Sequence, residues 1–228
     1  MKHKQRRTIR SFVKREGRLT QGQQQALENL WPVYGVDFSE QRLDMAQLFD
    51  RNAATVLEIG FGNGESLWQM AMDNPDKNFF GIEVHRPGVG HLLHLIETSG
   101  CKNIRISNQD AIDVLEKQIQ PQSIDRVQLF FPDPWHKKKH NKRRIVQQNF
   151  IHHIGEILKP GGIFHLATDW EDYAMQMLNL LNASPLFSNQ STDNTFVPKP
   201  DDRPTTKFEK RGQRLGHGVW DLIFEKQL

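Results

Sequence analysis

The chain of 228 residues holds a single cysteine, Cys101. No internal disulfide is possible, and no cysteine cage can hold a metal. This thiol poverty fits a reducing compartment, so a cytoplasmic location is the expectation. No apolar run approaches the roughly 20 residues that span a bilayer, and no membrane partner is expected. No apolar core follows the basic N-terminal residues, which sets them apart from a secretory signal. Internal repeats and heptads are also missing. Acids are scarce at the start: residues 1–18 hold Glu16 alone against eight Lys or Arg.

What is present is uneven. The net charge is only +3, yet basic residues cluster at 1–18, 137–144 and 207–214. Local patches of this kind point to a phosphate-bearing partner more than the overall charge does. Residues 1–20 read as a flexible basic arm with too little apolar surface to fold alone. Residues 21–228 read as one domain.

Along that domain, residues 23–31 have helical composition and stop at Pro32. Ser39 is placed to cap a helix over 40–51. Strands are expected at 55–59, 79–84, 103–107, 123–131, 163–167 and 219–224. Helices are expected at 65–73, 89–98 and 144–158, the last ended by Lys159-Pro160-Gly161-Gly162. Residues 184–206 read as a loop with room for one edge strand. Strands alternating with helices across short loops give an α/β fold, a doubly wound, mostly parallel sheet with helices on both faces.

In such sheets ligands bind beyond the carboxyl ends of the strands, where the strand order reverses. Gly60-Phe61-Gly62-Asn63-Gly64 lies there, between the first strand and a helix. A dinucleotide fingerprint would need glycine at position 65, which is Glu65. A carboxylate at a helix N-terminus repels pyrophosphate, so a nucleoside without phosphates suits the loop better than NAD. Glu83 ends the second strand, where an acid can hold both ribose hydroxyls. Asp110 can accept from an exocyclic amine such as adenine N6, or cap a helix beginning at Ala111. Glu58 sits at the sheet end beside the loop.

The apolar run 127–131 leads into Pro132-Asp133-Pro134-Trp135, and His136 to Arg144 follow as a basic block. Two prolines fix φ and remove backbone donors, so Asp133 belongs to a stiff turn. A carboxylate delivered to a sheet edge beside a polycation suits chemistry on a polyanion. Trp135 can stack on a base or pack in the core. His152 and His153 are adjacent on a helix and cannot share one face, so no metal site is expected.

Strand, GxGxG and helix, followed by acids after strands two and three, resemble the S-adenosylmethionine-dependent methyltransferases. A longer set resembles the bacterial tRNA (guanine-N7-)-methyltransferases: residues 57–65, Gly81-Ile82-Glu83, residues 131–135, Lys142-Arg143-Arg144, Ala167-Thr168-Asp169 and residues 205–212. His136 and Lys139 depart from that pattern, where proline and arginine would be more usual. The resemblance implies a Rossmann-like sheet whose last strand runs antiparallel. It implies S-adenosyl-L-methionine as methyl donor, held by Glu58, Gly60, Gly62, Gly64, Glu83, Asp110 and Asp133. It implies tRNA as substrate, methylated at guanine N7 in the variable loop, with Asp133 as the catalytic residue. Lys137, Asp169, Thr206, Lys207, Phe208 and Glu209 would contact the substrate, and Lys139, Lys142, Arg143 and Arg144 its phosphates. A small-molecule methyltransferase is the alternative, but it gives no reason for three basic patches. Monomer and homodimer both remain open.

Overall fold

The computed structural model describes residues 11–12, 17–206, 209 and 218–228. Helix α1 (Gln21–Tyr34) opens on a capping box: Thr20 accepts the Gln23 amide, and the Gln23 side chain accepts the Thr20 amide. Pro32 lies in its last turn, where it removes a single internal hydrogen bond and does not stop the helix. Helix α2 (Met45–Leu48) is one turn, capped by Asp44 and not by Ser39. The expected longer helix is lost because Leu43 is drawn into pairing, its amide donating to the Gln118 carbonyl at 2.7 Å.

Strands β1 (Thr55–Ile59), β2 (Asn78–Ile82), β3 (Ile104–Ser107), β4 (Ile124–Phe130) and β5 (Leu158–Thr168) pair in parallel. With β6 (Phe187–Asn189) and β7 (Trp220–Lys226) they form one sheet of order β3-β2-β1-β4-β5-β7-β6. Strand β7 is antiparallel to both of its neighbours. The order reverses between β1 and β4, and this opens a crevice at their carboxyl ends.

Helices α3 (Glu65–Asp73) and α4 (Arg86–Ser99) pack with α1 on one face, around Val56, Phe79 and Ile104. Helices α5 (Ala111–Lys117), α6 (Gln148–Ile157) and α7 (Glu171–Asn182) pack on the other, around Leu57, Phe80, Val127 and Phe164. Leu57 is fully buried, and truncation to alanine at such a site costs about 2–5 kcal/mol.

The first face changes character at the far side of the sheet. There β4, β5 and β7 present Arg126, Gln128, His165 and Asp221. Asp202, Arg203 and Glu209 bond to this polar area.

Two expected boundaries move. Helix α6 begins at Gln148, not at residue 144, and a 3-10 helix occupies Lys138–Arg143 before it. The Val146 amide donates to the Tyr173 hydroxyl at 3.1 Å instead of to a helical carbonyl. Residues 159–162 belong to β5, where Gly161 (φ +74°) lies beside the register shift between Ile124 and Arg126.

Candidate active site

The carboxyl ends of β1 to β4 surround one cavity of about 130 Å³. Gly60 follows β1, Glu83 follows β2, Asp110 follows β3 and Asp133 follows β4, and all four line it. Four of the seven expected donor residues therefore meet at the switch point, each delivered by its own strand.

The glycine loop is shaped by backbone and not by side chains. Gly60 (φ +75°) and Gly62 (φ +60°) are left-handed, and a β-carbon on either would project into open space. The loop is pinned from both sides. Glu83 Oε2 accepts the Gly62 amide at 2.8 Å, and its Oε1 accepts the His85 amide at 2.8 Å. A β-carbon at Gly88, in the first turn of α4, would lie 2.0 Å from the Gly62 carbonyl oxygen. Gly62 and Gly64 are not cavity residues. Gly64 caps α3 in close contact with Leu92.

Glu58 also stands behind the lining. It is buried, and one carboxylate oxygen has no protein partner. Burial, and then the charge of Glu83, pushes its pKa up to about 8. Its strand partner Gln128 carries a second orphaned oxygen on the same face. Asp110 lines the cavity and caps α5 by accepting the Ile112 amide at 3.1 Å.

The Asp133 turn is stiff for more than its prolines. Phe131 (φ +52°) and Trp135 (φ +49°) are both left-handed. Bulky residues rarely adopt this conformation, and it costs about 1–3 kcal/mol each. The Phe131 amide donates to Ala167 at 2.8 Å, which brings this turn beside Asp169 at the end of β5. Trp135 Nε1 donates to the Ser11 carbonyl at 3.0 Å, and Arg143 lies over the Trp135 ring at 4.9 Å. Ser11 and Phe12 themselves line the cavity, so this part of the basic arm rests on the domain.

Lys137, Lys139 and Lys142 are exposed around the turn, with Arg143 and Asp169 half-buried beside them. His140 sits among them, and desolvation followed by the surrounding cations lowers its pKa. Arg144, expected among the phosphate contacts, is placed inward. It is buried and donates to the Pro134 carbonyl, to Gln176 and to Asp172 at 2.6–2.8 Å. Such a side chain holds the turn. Glu209, expected at the substrate, has a buried carboxylate paired with Arg203. Thr206 is half-buried and accepts the Glu209 amide at 3.1 Å. Lys207 and Phe208 lie outside the described residues.

A family described as "Putative methyltransferase" matches residues 52–222. A tRNA (guanine-N(7)-)-methyltransferase of Shewanella sp. (strain W3-18-1) is 59% identical over 220 residues, covering 96% of this chain and 92% of the relative. A protein of the same name from Shewanella amazonensis is 57% identical with the same coverage. The chain belongs to the tRNA (guanine-N7-)-methyltransferase family. The methyl donor of this family is S-adenosyl-L-methionine.

Among solved structures, the 16S rRNA methyltransferase KamB superposes with a TM-score of 0.59 at 14% identity, covering 82% of this chain and 96% of that one. An rRNA methylase from Streptococcus thermophilus gives 0.53 at 12% identity, covering 77% and 88%. These likenesses show a Rossmann-like methyltransferase fold. The residues present suit the donor: an open glycine cradle, a ring of carboxylates and an orphaned buried carboxylate oxygen.

Arg126, His165, Arg203 and Asp221 escaped the sequence reading, as did the seating of Ser11 and Phe12. One signal was available: Asp221 interrupts an apolar strand, and such an acid needs a buried partner.

Proposed function

We propose that this chain methylates N7 of a guanine in the variable loop of tRNA, with Asp133 as the catalytic residue. The observation that carries the role of Asp133 is its position: a carboxylate on the wall of the donor cavity, in a turn held by two prolines and ringed by exposed lysines.

Glu83 would hold the ribose of the donor, since each of its oxygens keeps one acceptor position after its backbone contact. Asp110 would take the adenine amine, and Gly60 would lie against the amino-acid part, with Gly62 shaping the loop and Glu58 buried behind it. When bound, S-adenosyl-L-methionine supplies an already activated methyl group on a sulfonium. The protein then chiefly orients the acceptor and excludes water.

Guanine suits an acid in this place. Its N1–H and N2–H₂ are donors that a carboxylate can accept, while N7 carries a lone pair and no proton. No general base is therefore required. Asp133 fixes the base through its donor edge and favours the positive charge that the ring acquires. Lys137, Lys139, Lys142 and Arg143 bind phosphates and set the register of the RNA without reading sequence. Asp169 and Thr206 stand at the acceptor side.

Nucleoside mass spectrometry of tRNA incubated with protein and labelled donor, followed by mapping of the base, tests the reading. 7-Methylguanosine in the variable loop is the expected product. Label in another nucleoside, or only in small metabolites, overturns it. Asp133→Asn should slow single-turnover transfer by about 100-fold or more. A near-normal rate with saturating tRNA removes the catalytic role.

A further inference from the structure

Arg203 is fully buried, and its guanidinium meets two carboxylates at once. Nη1 and Nη2 donate to Glu209 at 2.7 and 3.2 Å. Nη2 also donates to Asp221 Oδ2 at 2.9 Å, and Nε lies 2.7 Å from Asp221 Oδ1. The cluster extends along the sheet. Asp221, on β7, accepts His165 Nε2 at 2.8 Å, and His165 Nδ1 accepts Arg126 Nη2 at 2.8 Å. These two contacts select a neutral imidazole with its proton on Nε2. Arg126 pairs with Asp202 at 2.8 Å, and Lys199 lies 3.3 Å from Glu209. Three cations thus face three anions around a neutral ring.

Two features connect this cluster to the chemistry. The Arg203 guanidinium lies 5.9 Å from the Phe130 ring and 5.7 Å from the Phe131 ring, the last two side chains before Pro132-Asp133. Glu209, its partner on the other side, donates its amide to the Thr206 hydroxyl. One planar cation therefore lies between the Phe130-Phe131 rings and Glu209. The donor residues Glu83 and Asp110 follow β2 and β3, beyond β1.

We propose that Arg203 is a positioning residue for methyl transfer. Its guanidinium fixes Glu209, and through it Thr206, on the sheet and in register with the Phe131–Asp133 turn. Stability alone is a poor account of the cluster, because buried ion pairs contribute little net stability against apolar replacements. What the planar fork adds is geometry, which a lysine ammonium does not reproduce. The proposal rests on the tRNA reading above and deepens it.

The test uses full-length Arg203→Lys, Glu209→Gln and Asp221→Asn proteins with total tRNA and labelled donor. Calorimetry of S-adenosyl-L-methionine should give affinities within about twofold of wild type, while kcat/KM for tRNA falls at least about tenfold per folded protein. Lysine should not rescue, and Arg203→Lys combined with Glu209→Gln should be little worse than the poorer single variant. Wild-type kcat and KM for tRNA in the folded Arg203→Lys protein overturn the proposal, as do equal losses toward donor and tRNA. If none of the three variants folds, the cluster is purely structural and the proposal is again overturned. Wild-type protein that fails to methylate tRNA sinks the tRNA reading itself. Active wild type beside fully active variants sinks only the positioning role.

Discussion

Arg144 Nε donates to the Pro134 carbonyl oxygen at 2.8 Å, so the residue after the proposed catalytic acid is held by a side chain ten positions further on. The same guanidinium reaches Asp172 and Gln176 on α7 and lies 4.7 Å from the Tyr173 ring centre. The turn is thus fastened to a helix on the opposite side of the sheet from Arg203.

Arg144→Ala leaves the Pro134 carbonyl and Gln176 without their donor. A loss of about 2–3 kcal/mol in urea unfolding is expected. Single-turnover transfer should fall, while tRNA affinity in filter binding changes by less than about twofold. A large loss of tRNA affinity with intact stability would return Arg144 to the RNA surface.

Glu58 gives the apoprotein a predictable pH slope. Its folded pKa of about 8 lies above the ordinary value of 4.5. The unfolded chain therefore releases this proton first, and stability falls as pH rises from 4.5 to about 8, then levels. Glu58→Gln removes the titration. Its melting temperature should exceed that of wild type near pH 8 and match it near pH 5, with weaker donor binding at both. An unchanged melting profile in differential scanning calorimetry refutes the buried-carboxyl account.

The arm divides into two functions at Ser11. Removing residues 1–10 takes away five Lys or Arg and leaves Ser11 and Phe12 at the cavity. That truncation should weaken tRNA binding and spare donor affinity. Removing residues 1–18 should weaken both, because the cavity loses part of its wall. Calorimetry on the two truncations decides: equal donor affinities would separate the arm from the cavity.

Lys139→Ala and Lys142→Ala should act through phosphate neutralisation. The slope of log affinity against log salt should become shallower by about one for each phosphate contact removed. The methylated nucleotide should stay the same, since such contacts carry no base information. A shift in the modified position would show that these lysines read the RNA.

Much of this molecule is legible without coordinates, and the reason is local. Thr55–Ile59, the glycines and the Glu65–Asp73 helix follow from periodicity and backbone freedom alone, and β1 and α3 fall on those residues. Glu83, Asp110 and Asp133 were readable because each sits at a strand end, which the α/β plan sends to one crevice. Failures came where a distant group decides. Leu43 left its helical pattern for Gln118, and Val146 left another for Tyr173. Arg144 lies in a basic run, and only tertiary packing turns it inward. Helix α7 gave no distinct signal, and the pairing of Arg203 with Asp221 joins positions 18 apart in sequence.

Strand β7 lies between β5 and β6 although it comes after both in sequence. A polypeptide that ended just before Trp220 would leave two other strands without their common partner. The edge ribbon at 187–189 would have no neighbour, and Arg203 would lose the anchor at Asp221. Because Leu222 and Phe224 of this strand are also fully buried in the main core, the last strand to be made is the one that completes both the sheet and the Arg203 cluster.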